Sequence, residues 1–100
     1  MSGKYILKNR KPVRCDDVYL WADWFESADR HVAKDEIGDV RVSTVFLGLD
    51  HRFTGDGPPL LFETMIFGGP HDHEMFRCAT WEEAERQHTI ALMLAKSGLN

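Results

Sequence analysis

Within Val40–Leu49 side chains sort with period two, and the first half alternates. Val40, Val42, Thr44 and Phe46 fall on one side, and Arg41, Ser43, Val45 and Leu47 on the other. A strand points successive side chains to opposite faces, so this pattern fits a strand covered mainly on one face. Toward Leu49 both sides become apolar, and the spacing predicts a strand over Val40–Leu49 that starts near solvent and ends buried. Leu60–Phe67 (LLFETMIF) predicts a second, more apolar strand. Between them Asp50–Pro59 (DHRFTGDGPP) is a loop longer than a tight hairpin needs, with two glycines and two prolines.

Upstream, Lys4–Lys8 reads as a short strand, Asn9–Pro12 as a turn and Val13–Cys15 as a further extended piece. Asp16 or Asp17 can cap a helix over Val18–Ala28, because a carboxylate there accepts bonds from the first free amides. Leu20, Trp21, Trp24, Phe25 and Ala28 form one apolar stripe on that helix. Asp29–Asp39 is polar, with Val32 and Ala33 starting a strand and Gly38–Asp39 making a turn. Downstream, Gly68–Asp72 breaks the chain and Glu74–Ala79 is a last short strand. Thr80 and Glu83 in TWEE form a capping box for a helix over Trp81–Lys96, with Gly98 as its C-terminal cap. Trp81, Ala84, His88, Ala91, Leu92 and Ala95 share a face of that helix. The order of elements predicts an α+β fold: an antiparallel β-sheet of three to five strands with two amphipathic helices packed on one face. Without repeats or linkers, residues 1–100 are expected to form a single domain.

Composition alters this picture little. A hydrophobic fraction of 43% and a charged fraction of 28% are ordinary for a globular domain. Twelve basic and sixteen acidic residues leave a net charge of −4, which argues against direct nucleic-acid binding through phosphates. No apolar run is long enough for a membrane helix, and the N-terminus lacks the apolar core of a secretory signal. Cys15 and Cys78 are far apart and match no metal spacing. They read as two reduced, partly buried thiols in a cytoplasmic protein.

The segments VSTVFLGLDH (Val42–His51), PPLLFETMIFGG (Pro58–Gly69) and TWEEAERQH (Thr80–His88) resemble a widespread family of small bacteriophage and prophage proteins. PVRC (Pro12–Cys15) and WADWFESADR (Trp21–Arg30) fit the same pattern, so the resemblance spans nearly the whole chain. It implies a phage-encoded accessory protein acting in the host bacterial cytoplasm. It brings no activity and no site residues with it.

The residues most in need of explanation are polar groups in apolar surroundings, where an unpaired polar group is penalised. Glu63 sits inside the most apolar strand. It either points to water, pairs with Arg41, Arg52 or Arg77, or serves a site. His88 lies on the apolar stripe of the last helix, where a hydrogen-bonded core histidine is the ordinary reading. Asp50 and His51 begin the loop after the first central strand, where a rigid sheet can present functional groups; Asp50 reads equally as a turn former. The expectation to test is that His51, Glu63 and His88, with Asp50 beside them, converge at one sheet edge and bind a ligand. His71-Asp72-His73 reads as a solvated loop. TGDGPP lacks the lysine and Ser/Thr of a phosphate-binding loop, and no nucleophile elbow or zinc-protease motif is present, so no metal or cofactor is expected.

Two functions follow as expectations. One is a non-enzymatic binding protein that inhibits a host factor or sequesters a small ligand, with Trp21, Trp24 and Phe25 as an interaction surface. The other is a small metal-dependent or acid/base hydrolase using His51, Glu63 and His88. The abundance of aromatic residues also suggests a homodimer.

Overall fold

The computed structural model describes residues 3–97, so the expected cap at Gly98 lies outside the described residues. The chain opens with a hairpin of β1 (Tyr5–Lys8) and β2 (Lys11–Arg14), followed by helix α1 (Val18–Ser27). Strands β3 (His31–Ile37), β4 (Val40–Phe46), β5 (Phe62–Phe67) and β6 (Met75–Cys78) then form an antiparallel sheet in chain order. Helix α2 (Trp81–Ser97) follows and crosses β3, β4 and β5. The fold class is therefore α+β, in two sheets of two and four strands with two helices.

The caps act as the residue types require. Asp17 starts α1 by accepting from the backbone amides of Tyr19 and Leu20 through Oδ1, at 3.0 and 3.2 Å. At α2 the box closes reciprocally: the Glu83 amide donates to Thr80 Oγ1 at 3.2 Å, and the Thr80 amide donates to Glu83 Oε1 at 3.1 Å.

The register decides which residues are inside. Val42 opposes Asp35 on one side and Ile66 on the other; Thr44 opposes Ala33 and Thr64; Phe46 opposes Phe62. Directly opposed residues share a face. The face under α2 thus carries Val40, Val42, Thr44, Phe46, Phe62, Thr64 and Ile66, all buried. Ala84, Ala91 and Ala95 of α2 are small enough to bring the helix close to them. Among the described residues, no layer covers the reverse face of the sheet. Val45, Met65 and Phe67 are only half-buried there, and Met75 is exposed. With one layer of sheet and one of helix, the protein measures 48 × 31 × 19 Å.

Helix α1 covers less than its stripe suggests. It packs mainly on β1 and touches the sheet's end through Trp24, which meets Phe46 edge-on at 5.6 Å. Leu20 of the expected stripe remains 63% exposed, because the helix rests on the hairpin and a loop rather than across the strands. Trp21 Nε1 donates to two carbonyls, Gly48 O at 3.0 Å and Tyr5 O at 3.2 Å, joining α1, β1 and the segment after β4. Gly48 has φ +76°, and a Cβ there would lie 3.0 Å from the Phe25 ring, so glycine is required twice over. That turn ends β4 at Phe46, short of Leu49. Leu47 still donates its amide to Leu61 O at 2.7 Å, so pairing with the approach to β5 continues irregularly.

Candidate functional site

The polar groups that matter most lie between sheet and helix. Turn spacing on α2 places His88 on the same buried side as Ala84, Ala91 and Ala95, and its ring meets Thr44 of β4. Thr44 Oγ1 is 2.7 Å from His88 Nδ1 and 2.7 Å from Thr64 Oγ1. His88 Nε2 is 2.7 Å from Asp35 Oδ2 on β3. The result is one chain, Asp35–His88–Thr44–Thr64, assembled from four elements.

Donor counting assigns its direction. A carboxylate only accepts, so His88 Nε2–H donates to Asp35. In the neutral ring Nδ1 is then the acceptor for the Thr44 hydroxyl, whose oxygen accepts from Thr64. Each buried group is satisfied, which is the condition for a polar network inside an apolar layer. The order carboxylate, imidazole, hydroxyl is that of a nucleophilic triad. Access differs entirely. Thr44 and Thr64 are fully buried and His88 is 4% exposed, while among the described residues no cavity adjoins them. Only Asp35 reaches water, its side chain half exposed. The arrangement is a structural clasp between α2 and three strands.

Of the expected site residues His88 belongs to this clasp, while Asp50, His51 and Glu63 have other partners. Glu63 points to the uncovered face, since its neighbours Phe62 and Thr64 point to α2. There it accepts from Arg77 Nε at 3.0 Å, one of the three arginines anticipated. Glu63 and His88 therefore lie on opposite faces of the sheet, which corrects the expected convergence: one-residue spacing from Phe62 sends Glu63 away from the helix. His51 holds Leu49 O through Nδ1 at 2.8 Å and stacks obliquely on Phe53 at 5.4 Å. Asp50 is a loop clasp: its Oδ1 accepts from the Arg52 amide at 2.8 Å and from the Leu60 amide at 2.9 Å, closing the long connection at its root.

Trp21, Trp24 and Phe25 are half-buried and engaged within the chain. Trp21 stacks obliquely on Phe25 at 4.9 Å, and the Arg30 guanidinium lies 3.9 Å from the Phe25 ring centre. The apolar side chains α1 leaves in solvent are Val18, Tyr19 and Leu20. In the HDH tract His71 pairs with Glu74, His73 with Asp72, and Asp72 accepts from the Gly68 amide at 2.6 Å. Among the described residues no three His, Cys, Asp or Glu side chains gather to hold a metal ion.

Cys78 lies at the inner edge of the core, where burial, assisted by the charge of Glu83, pushes its thiol up to about 11. No helix among the described residues is long and apolar enough to cross a membrane. The residues that sequence reasoning missed are Asp35, Thr44 and Thr64. The threonines at inward positions of apolar strands were the available signal; Asp35 had none, being one acid in a polar stretch. Comparison with protein-family models, with curated proteins and with solved structures finds no match to this chain.

Proposed function

We propose that the protein is a phage-encoded, non-enzymatic binding protein of the host bacterial cytoplasm, and that it engages a host protein through the uncovered face of the β3–β6 sheet. The observation that carries this reading is that face itself. Met65 and Met75 are directly opposed, Phe67 follows Met65 along β5 and Val45 lies diagonal to Met65, with no covering layer among the described residues. Around them Arg41, whose guanidinium lies 4.6 Å from the Phe67 ring centre, and the Glu63–Arg77 pair supply a polar border. An apolar centre with a charged rim is the anatomy of a protein interface. A small ligand suits it less, since ligand sites are concave and this surface is a sheet face. The hydrolase reading has less support, because Glu63 and His88 lie on opposite faces of the sheet and the triad-like arrangement is closed to substrate.

The test compares wild type with a Met65→Asp/Met75→Asp variant, both immobilised and exposed to bacterial host extract. Expected is one host protein retained near one-to-one by wild type and at least tenfold less by the variant, with unchanged circular dichroism. Equal retention by both would refute the assignment of the face. A two-chain mass in light scattering that the same substitutions reduce to one chain would replace the host protein with a second copy.

A further inference from the structure

The fold segregates charge that the chain's average conceals. Residues 1–14 hold five basic residues, Lys4, Lys8, Arg10, Lys11 and Arg14, and no acidic one. The remaining chain holds seven basic and sixteen acidic residues, a net charge of −9. The basic segment is the β1–β2 hairpin, which forms a sheet of its own. Its inner side, Tyr5 and Leu7, packs against the core near Phe46 and Phe62. Alternation then turns Ile6, Lys8, Lys11 and Val13 outward, and Lys4 follows the same alternation one residue before β1.

Two of these cations are placed where the fold alone would not put them. Lys8 and Lys11 are directly opposed across the ladder, at the exposed end of the hairpin. Like charges in that position destabilise a sheet. Among the described residues neither has an acidic partner within ion-pair distance. The turn between them, Asn9-Arg10, has φ +52° and +67°, the left-handed pair a two-residue hairpin turn demands, with arginine where glycine is usual. Arg10 is explained by its 5.2 Å approach to the Trp81 ring, which holds the hairpin to α2, and Arg14 by its 2.7 Å bond to Asp16. Lys4, Lys8 and Lys11 have no such explanation.

We infer that the outward face of the β1–β2 hairpin binds the phosphate backbone of duplex nucleic acid through Lys4, Lys8 and Lys11. A two-stranded ribbon is narrow enough to enter the major groove, about 12 Å wide. Lys4 and Lys8, four residues apart on one strand, are separated by roughly 13 Å at about 3.3 Å per residue, enough to reach both backbones. A protein partner would be anchored by aromatic residues, and this face has only Ile6 and Val13 between its lysines. The contact is independent of base sequence, because lysines to phosphates carry none. The acidic remainder of the chain confines it to the hairpin, so the net charge of −4 does not forbid it.

The experiment is fluorescence anisotropy of a labelled 20-base-pair DNA duplex titrated with the full chain at 50 and 200 mM salt. Three phosphate contacts predict a log–log salt slope of about −2.7, a loss of about 40-fold in affinity over that range. The Lys8→Glu/Lys11→Glu variant is expected to bind at least tenfold more weakly at 50 mM. Lys34→Glu/Lys96→Glu, with the same charge change elsewhere, should bind within about threefold of wild type. Absence of binding at 50 mM salt and 100 μM protein, or equal loss in both variants, would overturn the inference. So would displacement of the duplex by poly-glutamate at equal charge concentration, which would assign the hairpin to an acidic polypeptide.

Discussion

His88→Leu isolates what the buried clasp contributes. The substitution removes the bond from Nε2 to Asp35 and the acceptor for the Thr44 hydroxyl, while filling most of the ring's volume. Asp35 is half exposed and rehydrates with little penalty. The Thr44–Thr64 pair is fully buried and keeps only its mutual bond, so one hydroxyl proton is left without an acceptor. An unsatisfied buried donor costs about 1–3 kcal/mol and the lost bond to Asp35 about 1 more, of which leucine's added apolar burial offsets part, for a net loss of about 2 kcal/mol. If that accounting holds, Thr44→Val and Thr64→Val added to His88→Leu remove the stranded groups and bring stability back to within about 1 kcal/mol of wild type. In the parent, Thr44→Val alone strands both His88 Nδ1 and the Thr64 hydroxyl and costs about 2–4 kcal/mol. Thr44→Val therefore costs stability alone in the parent but belongs to a pair that restores it in the His88→Leu background, the signature of coupled neighbours. Urea unfolding followed by the fluorescence of Trp21, Trp24 and Trp81 measures all variants. With m of about 1.3 kcal/mol/M, a 2 kcal/mol loss moves the midpoint by about 1.5 M. A triple variant no more stable than His88→Leu would refute the reasoning, because the network would then stabilise beyond satisfying its own members.

Other consequences are equally open to measurement. Gly48→Ala adds a Cβ 3.0 Å from the Phe25 ring at φ +76° and should cost about 1–3 kcal/mol in the same unfolding assay. Thr80→Ala removes the acceptor for the Glu83 amide and should cost about 1 kcal/mol. Cys78, raised to about 11 by burial, should resist alkylation at pH 8 in the folded protein and react promptly once urea unfolds it. The same shift carries a sign: the folded state keeps its proton where the unfolded thiol loses it. The stability Cys78 contributes is therefore complete below pH 9 and falls from there toward pH 11, which a Cys78→Ala control removes.

The central strands, the helix N-caps and the division of β4 into two faces were legible because each follows from local alternation or from a short capping pattern. Strand β3 was legible only at Val32 and Ala33. It is an edge strand with exposed charges, and its inward Asp35 reads as solvent-facing until His88, 53 positions away, is placed against it. Thr44 was grouped by its spacing with Val40, Val42 and Phe46, yet its partners come from β5 and α2, which no local pattern connects. Glu63 was sorted to a salt bridge with Arg77 only by the β5–β6 register. The aromatic stripe of α1 suggested more burial than occurs, since periodicity reports that a helix has an apolar side but not how broad a surface receives it. Leu20 shows the difference.

The sheet is built entirely from strands that neighbour each other in the chain, and its cover, α2, comes after all of them. During synthesis from the N-terminus the four strands emerge and can pair while Val42, Thr44, Phe46, Phe62, Thr64 and Ile66 still lack the helix that shields them. For about twenty residues of elongation, one to a few seconds at ordinary translation rates, the nascent sheet presents apolar groups on both sides. A truncation within residues 79–90 would fix the chain in that uncovered, aggregation-prone state.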